Sequence, residues 1–185
     1  MRPSDHGDQM VHRTDECEAD ILICKRNCLF TYGSVKMDKK SLFGNLHHVC
    51  IVVHDIDTTQ AYYESIGIGP WISYPPLEEY TQLEVPDRNG FLAMQYRVCN
   101  LPNIQIQLCQ PNDDPTPQRI HLDTKGEGVF HMGFEVPDAD AAEADAGLPV
   151  LMRGRRENGT GFTYYDTAEA AGVVLLTRET NKPAC

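Results

Sequence analysis

An α+β fold built from one β-α-β-β-β unit used twice is what this sequence of 185 residues predicts. Residues 46–57 (LHHVCIVVHDID) return as residues 129–140 (VFHMGFEVPDAD). With His48 laid on His131, Val53 meets Val136, Asp55 meets Asp138 and Asp57 meets Asp140. In each copy the apolar residues alternate (Val49, Ile51, Val53; Met132, Phe134, Val136), which is the period of a strand with one buried face. Each copy is then followed by a helical pattern and a series of short strand-like runs. A duplicated unit buries its apolar face by pairing with its copy, so a pseudo-twofold axis brings His48 and His131 towards one shared site.

The elements follow in order. Residues 1–40 are polar, charged and aperiodic, and read as a disordered extension with a short helix at 21–30. The domain is expected over 41–180, with unit one at 45–111, a linker at 112–128 and unit two at 129–178. After the first strand, residues 58–66 carry Ala61, Tyr62 and Ile66 at helical spacing, with Asp57 or Thr58 as cap and Gly67 as terminator. Residues 70–76 are a loop or short strand holding the single tryptophan, Trp71. Residues 80–85, 91–98 and 104–110 read as strands, with a turn at 86–90. The prolines and glycines of 112–128 read as linker. The second unit repeats the plan: a helix over 139–146 capped by Asp138, then strands over 150–156, 161–166 and 172–177.

Composition narrows the function. A net charge of −11 opposes nucleic acid and anionic membranes, and the cluster Arg153, Arg155 and Arg156 is too short to be a polynucleotide track. No apolar run reaches the ~20 residues that span a bilayer, and there is no secretory or transit pattern, so a cytoplasmic protein is expected. Seven cysteines without a regular framework argue against a disulfide scaffold. Cys24 and Cys28 lack the second ligand pair of a structural zinc site.

Strand parity places the side chains. Ile104, Ile106 and Leu108 alternate with Gln105, Gln107 and Cys109, so the glutamines share the face of His48. The motifs HHVCIVVHDID, a helix ending in GIGPW, QLCQP, GEGVFHMGFEVPDAD and YYDTAEAAGVVLL, in this order, resemble the vicinal oxygen chelate superfamily, the glyoxalase and methylmalonyl-CoA epimerase group. The resemblance implies an eight-stranded open cup with helices on its outer face, and one divalent metal ion (Zn, Co, Ni, Mn or Fe) held by His, Gln, His and Glu. Carried over, His48, Gln107 and His131 fill three positions, and Leu176 stands where the Glu is expected. Three neutral donors can still hold an ion with open positions for substrate; two buried histidines satisfied by hydrogen bonds are the plainer reading.

With a metal, the expected chemistry is that of an isomerase, epimerase or lyase. A chelated carbonyl, carboxylate or acyl-thioester oxygen acidifies the neighbouring C–H, and a base moves the proton through an enolate-like intermediate. Glu84, then Glu135, are the candidate bases. Arg178, on the cup side by parity with Leu176, is the candidate anchor for a substrate anion, and Trp71, Tyr74 and Phe91 are candidates for an apolar pocket wall. Two alternatives use the same cup: a metal-free binding protein of the bleomycin-resistance kind, and a metal-free enzyme working on histidine. The partner is a small molecule in each case, and the cup forms within one chain or across a homodimer.

Overall fold

The computed structural model describes residues 42–180. The expected N-terminal extension, its short helix and the Cys24/Cys28 pair lie outside the described residues. The repeated motif forms β1 (Leu46–Val52) and, later, β6 (Gly128–Glu135). The repeated aspartates have a physical reason: each caps the helix that follows its strand. Asp55 accepts from the Thr58 amide at 2.8 Å to open α1 (Ile56–Ser65). Asp138 accepts from the Asp140 and Ala141 amides to open α4 (Ala139–Ala146).

Between them lie β2 (Trp71–Ser73), a 3-10 turn (Leu77–Glu79), β3 (Tyr80–Glu84), α2 (Arg88–Ala93), β4 (Gln95–Asn100), β5 (Gln105–Gln110) and α3 (Pro117–Lys125). After α4 come β7 (Val150–Arg156), β8 (Gly161–Tyr165), α5 (Ala168–Ala171) and β9 (Val174–Glu179). Three expectations need correction. The first helix is capped by Asp55 rather than by Asp57 or Thr58, because the Asp55 carboxylate reaches the Thr58 amide, and it begins at Ile56. The run 91–98 is not one strand: Asp87 accepts from the Gly90 amide at 2.7 Å and starts α2, which contains Phe91, so the strand begins only at Gln95. The linker holds a helix too, because Thr116 caps α3 and Pro117 occupies a first-turn position where a missing N–H costs nothing.

The strands join in one open mixed sheet of order β2-β4-β5-β1-β6-β9-β8-β7-β3. Its centre is the antiparallel β1–β6 pair, and each half runs outward identically: β1, β5, β4, β2 on one side and β6, β9, β8, β7 on the other. These eight strands make the expected eight-stranded cup, but β2 stands in the place expected for the strand at 80–85. The ninth, β3, belongs by sequence to the first unit but pairs with β7 of the second, Leu83 opposite Gly154 and Glu84 opposite Arg153. The connection from β2 to β3 therefore runs from one sheet edge to the other.

Two apolar layers hold the sheet. On its outer face Ile51, Val53, Ile56, Tyr63, Trp71, Cys99 and Leu108 pack α1 against the first half. Inside the cup, Cys50, Val52, Tyr80, Phe91, Tyr96, Cys109, Phe162, Tyr164 and Leu176 form the larger core. Among the described residues no helix is long and apolar enough to cross a membrane.

Candidate functional site

The centre of the site is a contact between the two halves. His48 on β1 and His131 on β6, both buried, place their Nε2 atoms 2.9 Å apart. Space for this contact comes from Gly133, which lies opposite His48 in the ladder: a Cβ there would fall 2.0 Å from His48 Cε1. The Nδ1 atom of His48 meets Nδ1 of His47 at 2.9 Å, so three imidazoles form a chain. Plain alternation sends His47 to the opposite face from His48; a register irregularity between Leu46 and His48 brings the two rings together.

These imidazoles are held neutral. Burial first, then the charge of Arg178, pushes His131 down to about 3. Burial, followed by His131, Arg178 and His47, puts His48 well below its ordinary value. His47 is lowered by burial and Arg178, with Glu135 opposing. Nδ1 of His131 has no hydrogen-bond partner. A run of N–H donors from His131 through His48 to His47 leaves that orphan as a bare lone pair; the opposite run leaves it as an N–H.

His48 opens on a narrow cavity with about 30 Å³ of room for water-sized groups, which widens into a solvent-open mouth. Its walls come from every part of the cup: Tyr96 and Gln107 from the first half, Phe162, Tyr164, Leu176 and Arg178 from the second. Tyr74 and Leu77 of the connection that crosses between the sheet edges, Tyr80 of β3 and Phe91 of α2 complete it. The Tyr74 and Tyr80 hydroxyls lie 3.2 Å apart. Burial raises Tyr80; on Tyr74 burial is outweighed by Arg178, the Tyr80 bond and Arg156, and the net shift is downward.

The sequence-derived candidates separate into two sets. His48, Gln107, His131, Leu176 and Arg178 come together as expected, and Tyr74 and Phe91 do line the cavity. Gln107 donates to Gln105 Oε1 at 2.6 Å, which leaves its own carbonyl oxygen for another partner. Glu84 does not join them: it is bound at 2.6 Å to Arg153, which also holds Glu143 of α4 on the outer face. Trp71 packs in the outer layer against Tyr63 and donates to the Ile68 carbonyl at 2.9 Å. Glu135 lies near His47, with its carboxylate bonded to Asn45 and Thr180. His47, Gly133 and the Tyr80/Tyr164 wall were not legible; a glycine facing a histidine across the repeat was the signal for Gly133.

The implied divalent ion fails a test of fit. Two imidazole nitrogens 2.9 Å apart could both reach one ion at about 2.1 Å. The rest of the donor set is wrong. The ladder sets Gly133 beside Leu176 as it sets Cys50 beside Gln107, so Leu176 holds the fourth position, buried and without a donor atom. Glu179, the carboxylate on β9, faces the other side and accepts from the Ala139 amide at 3.1 Å. No lining residue is acidic, and Arg178 brings a positive charge into the same cavity. A divalent ion would sit beside a guanidinium with neutral ligands only, which low dielectric makes costly. Among the described residues no three His, Cys, Asp or Glu side chains group to hold a metal.

Residues 47–165 match the family described as Glyoxalase/Bleomycin resistance protein/Dioxygenase superfamily. No curated protein matches the chain significantly. Among solved structures, methylmalonyl-CoA epimerase from Mycobacterium tuberculosis superposes with a TM-score of 0.57 at 24% identity, covering 80% of this chain and 95% of its own. A Streptomyces coelicolor methylmalonyl-CoA epimerase in complex with 2-nitronate-propionyl-CoA gives 0.56 at 23%, covering 75% and 98%. A methylmalonyl-CoA epimerase in complex with methylmalonyl-CoA and NH4+ gives 0.55 at 23%, covering 74% and 94%. At these identities the likeness establishes the fold.

Proposed function

The chain belongs to the glyoxalase, bleomycin resistance protein and dioxygenase superfamily, and we propose that it uses the cup of that family for proton transfer at carbon, isomerising or epimerising a small carbonyl, carboxylate or acyl-thioester compound on paired imidazoles without a resident metal. The observation that carries this reading is the buried His48–His131 contact at 2.9 Å, open to the cavity through His48. Both rings are neutral; with the N–H donors running from His47 through His48 to His131, the one lone pair of His48 is on Nδ1, which His47 occupies and yields to substrate. A substrate C–H next to a carbonyl, seated against His48, gives its proton to that ring. The charge that develops on the carbonyl oxygen is met by the Tyr74 or Tyr80 hydroxyl and by Arg178, donors that line the same cavity. The Nε2···Nε2 contact spreads the acquired proton onto His131, and its return to carbon completes the exchange. Epimerisation, the activity named for the structural neighbours, is a reaction of this class.

The test is deuterium incorporation. Incubated in D2O with a panel of 2-methyl-branched acids and their thioesters, the protein is expected to exchange the proton on the carbon next to the carbonyl. His48→Ala should slow that exchange by about 10²- to 10⁴-fold, and a chelator should leave it unchanged. A second reading, a cup that holds a ligand without turnover, is favoured by the apolar Leu176. Binding of panel members without any exchange would establish that reading instead.

A further inference from the structure

Five of the seven described arginines meet an anion. Arg97, Arg119, Arg153, Arg155 and Arg156 each meet a carboxylate within 4.0 Å. Arg178 is the exception among the described arginines that border a cavity: it makes no ion pair with a described residue, although it faces the cup in a protein of net charge −11. The obvious partner is next to it in the ladder, since Glu135 pairs with Arg178 in register, yet that carboxylate is turned to Asn45 and Thr180. Across the cavity from β9 stand the Tyr74 and Tyr80 hydroxyls, 3.2 Å apart, either able to donate outward. The remaining walls are apolar and largely aromatic: Leu77, Phe91, Tyr96, Phe162, Tyr164 and Leu176.

From this arrangement we infer that the cup takes an organic carboxylate with an apolar body: Arg178 pairs with the carboxylate, a tyrosine hydroxyl donates to it, and the body lies among Phe91, Phe162 and Tyr164, presenting its 2-carbon to His48. This deepens the proton-transfer reading and rests on it for the role of His48. A charged guanidinium and hydroxyl donors recognise an anion. The aromatic wall recognises a flat or branched hydrocarbon, and the lack of any lining carboxylate removes the repulsion an anion would meet.

Titration calorimetry with benzoate and 2-phenylpropanoate, each beside its neutral amide, tests the inference on the full chain. The acids are expected to bind at least about tenfold more tightly than the amides, and Arg178→Met to erase that difference while Arg178→Lys keeps part of it. Equal binding of acid and amide by the wild type, a comparison that needs no variant to fold, would overturn the inference; so would failure of the acids to bind at millimolar concentration. Deuterium exchange separates the two claims. Binding of 2-phenylpropanoate through Arg178 without exchange of its 2-proton leaves the anion site standing and removes the proton-transfer reading. Exchange on a neutral thioester by a wild type that binds acid and amide equally does the reverse.

Discussion

Gly133 sets the geometry of the site by having no side chain. A Cβ at this position would overlap the His48 ring, with buried structure on all sides to resist its movement. Gly133→Ala is expected to cost about 1–3 kcal/mol in urea unfolding and to abolish exchange by displacing His48; retained exchange would show that the ring has another place to go. Leu176 supports a complementary test. Leu176→Glu adds the missing carboxylate next to His48, Gln107 and His131, and is expected to destabilise the metal-free protein while conferring cobalt binding, seen as visible absorption that His131→Ala removes. The imidazoles also fix a pH dependence. His131 falls from 6.5 unfolded to about 3 folded, so between these values the unfolded chain binds a proton that the native one refuses. Stability is therefore full above pH 6.5 and falls as pH drops through that window. The slope is about 1.4 kcal/mol per pH unit for each such ring. Urea midpoints at pH 7, 6 and 5 check this, and no decline over that range would contradict it. His48 and His131 were readable because duplication places them; His47 was not, because a bulge in a strand leaves no trace in alternation.

At the scale of elements, the site depends on short helices that aromatic-rich sequence disguises. Phe91, Leu92, Tyr96 and Val98 suit a strand by composition, yet residues 88–93 are helical because the cap at Asp87 starts the turn, and Gly90 lets it pack close against Asp114 and Thr116. The result is that Phe91 enters the cup from a helix and stacks on Phe162, ring centres 5.7 Å apart. Asp87→Ala is expected to cost about 1 kcal/mol, lowering the melting temperature and loosening ligand binding through Phe91. An unchanged melting temperature would mean that the fold holds α2 without its cap. The helix in the linker carried its own signal, Thr116 before Pro117, that the surrounding prolines and aspartates obscured. By contrast α1 and α4 were legible because the repeat doubles the aspartates that precede them, although the cap of α1 is Asp55 and not Asp57 or Thr58.

The described residues form one sheet whose two halves match strand for strand except for β3, and that symmetry is what made the fold readable: one motif, seen twice, fixes the centre. The ladder predicts a gradient of stability. β1 and β6 have partners on both sides and lie at the middle, whereas β2 and β3 are the edges. Hydrogen exchange is expected to be slowest at Cys50, Val52 and Met132 and fastest in β2 and β3; protection of the edges equal to the centre would imply further cover over them. What the repeat could not reveal is that β3 has left its own half, since local pattern identifies a strand but not its partner.

That exchange of a strand makes the two repeats unequal descendants of one unit. A chain cut at residues 112–115 would not yield two miniature proteins. The N-terminal fragment would carry a strand with nothing of its own to pair with, and the C-terminal fragment a bare edge on β7. The two would be fitted to find each other, as donor and acceptor in a complementing pair.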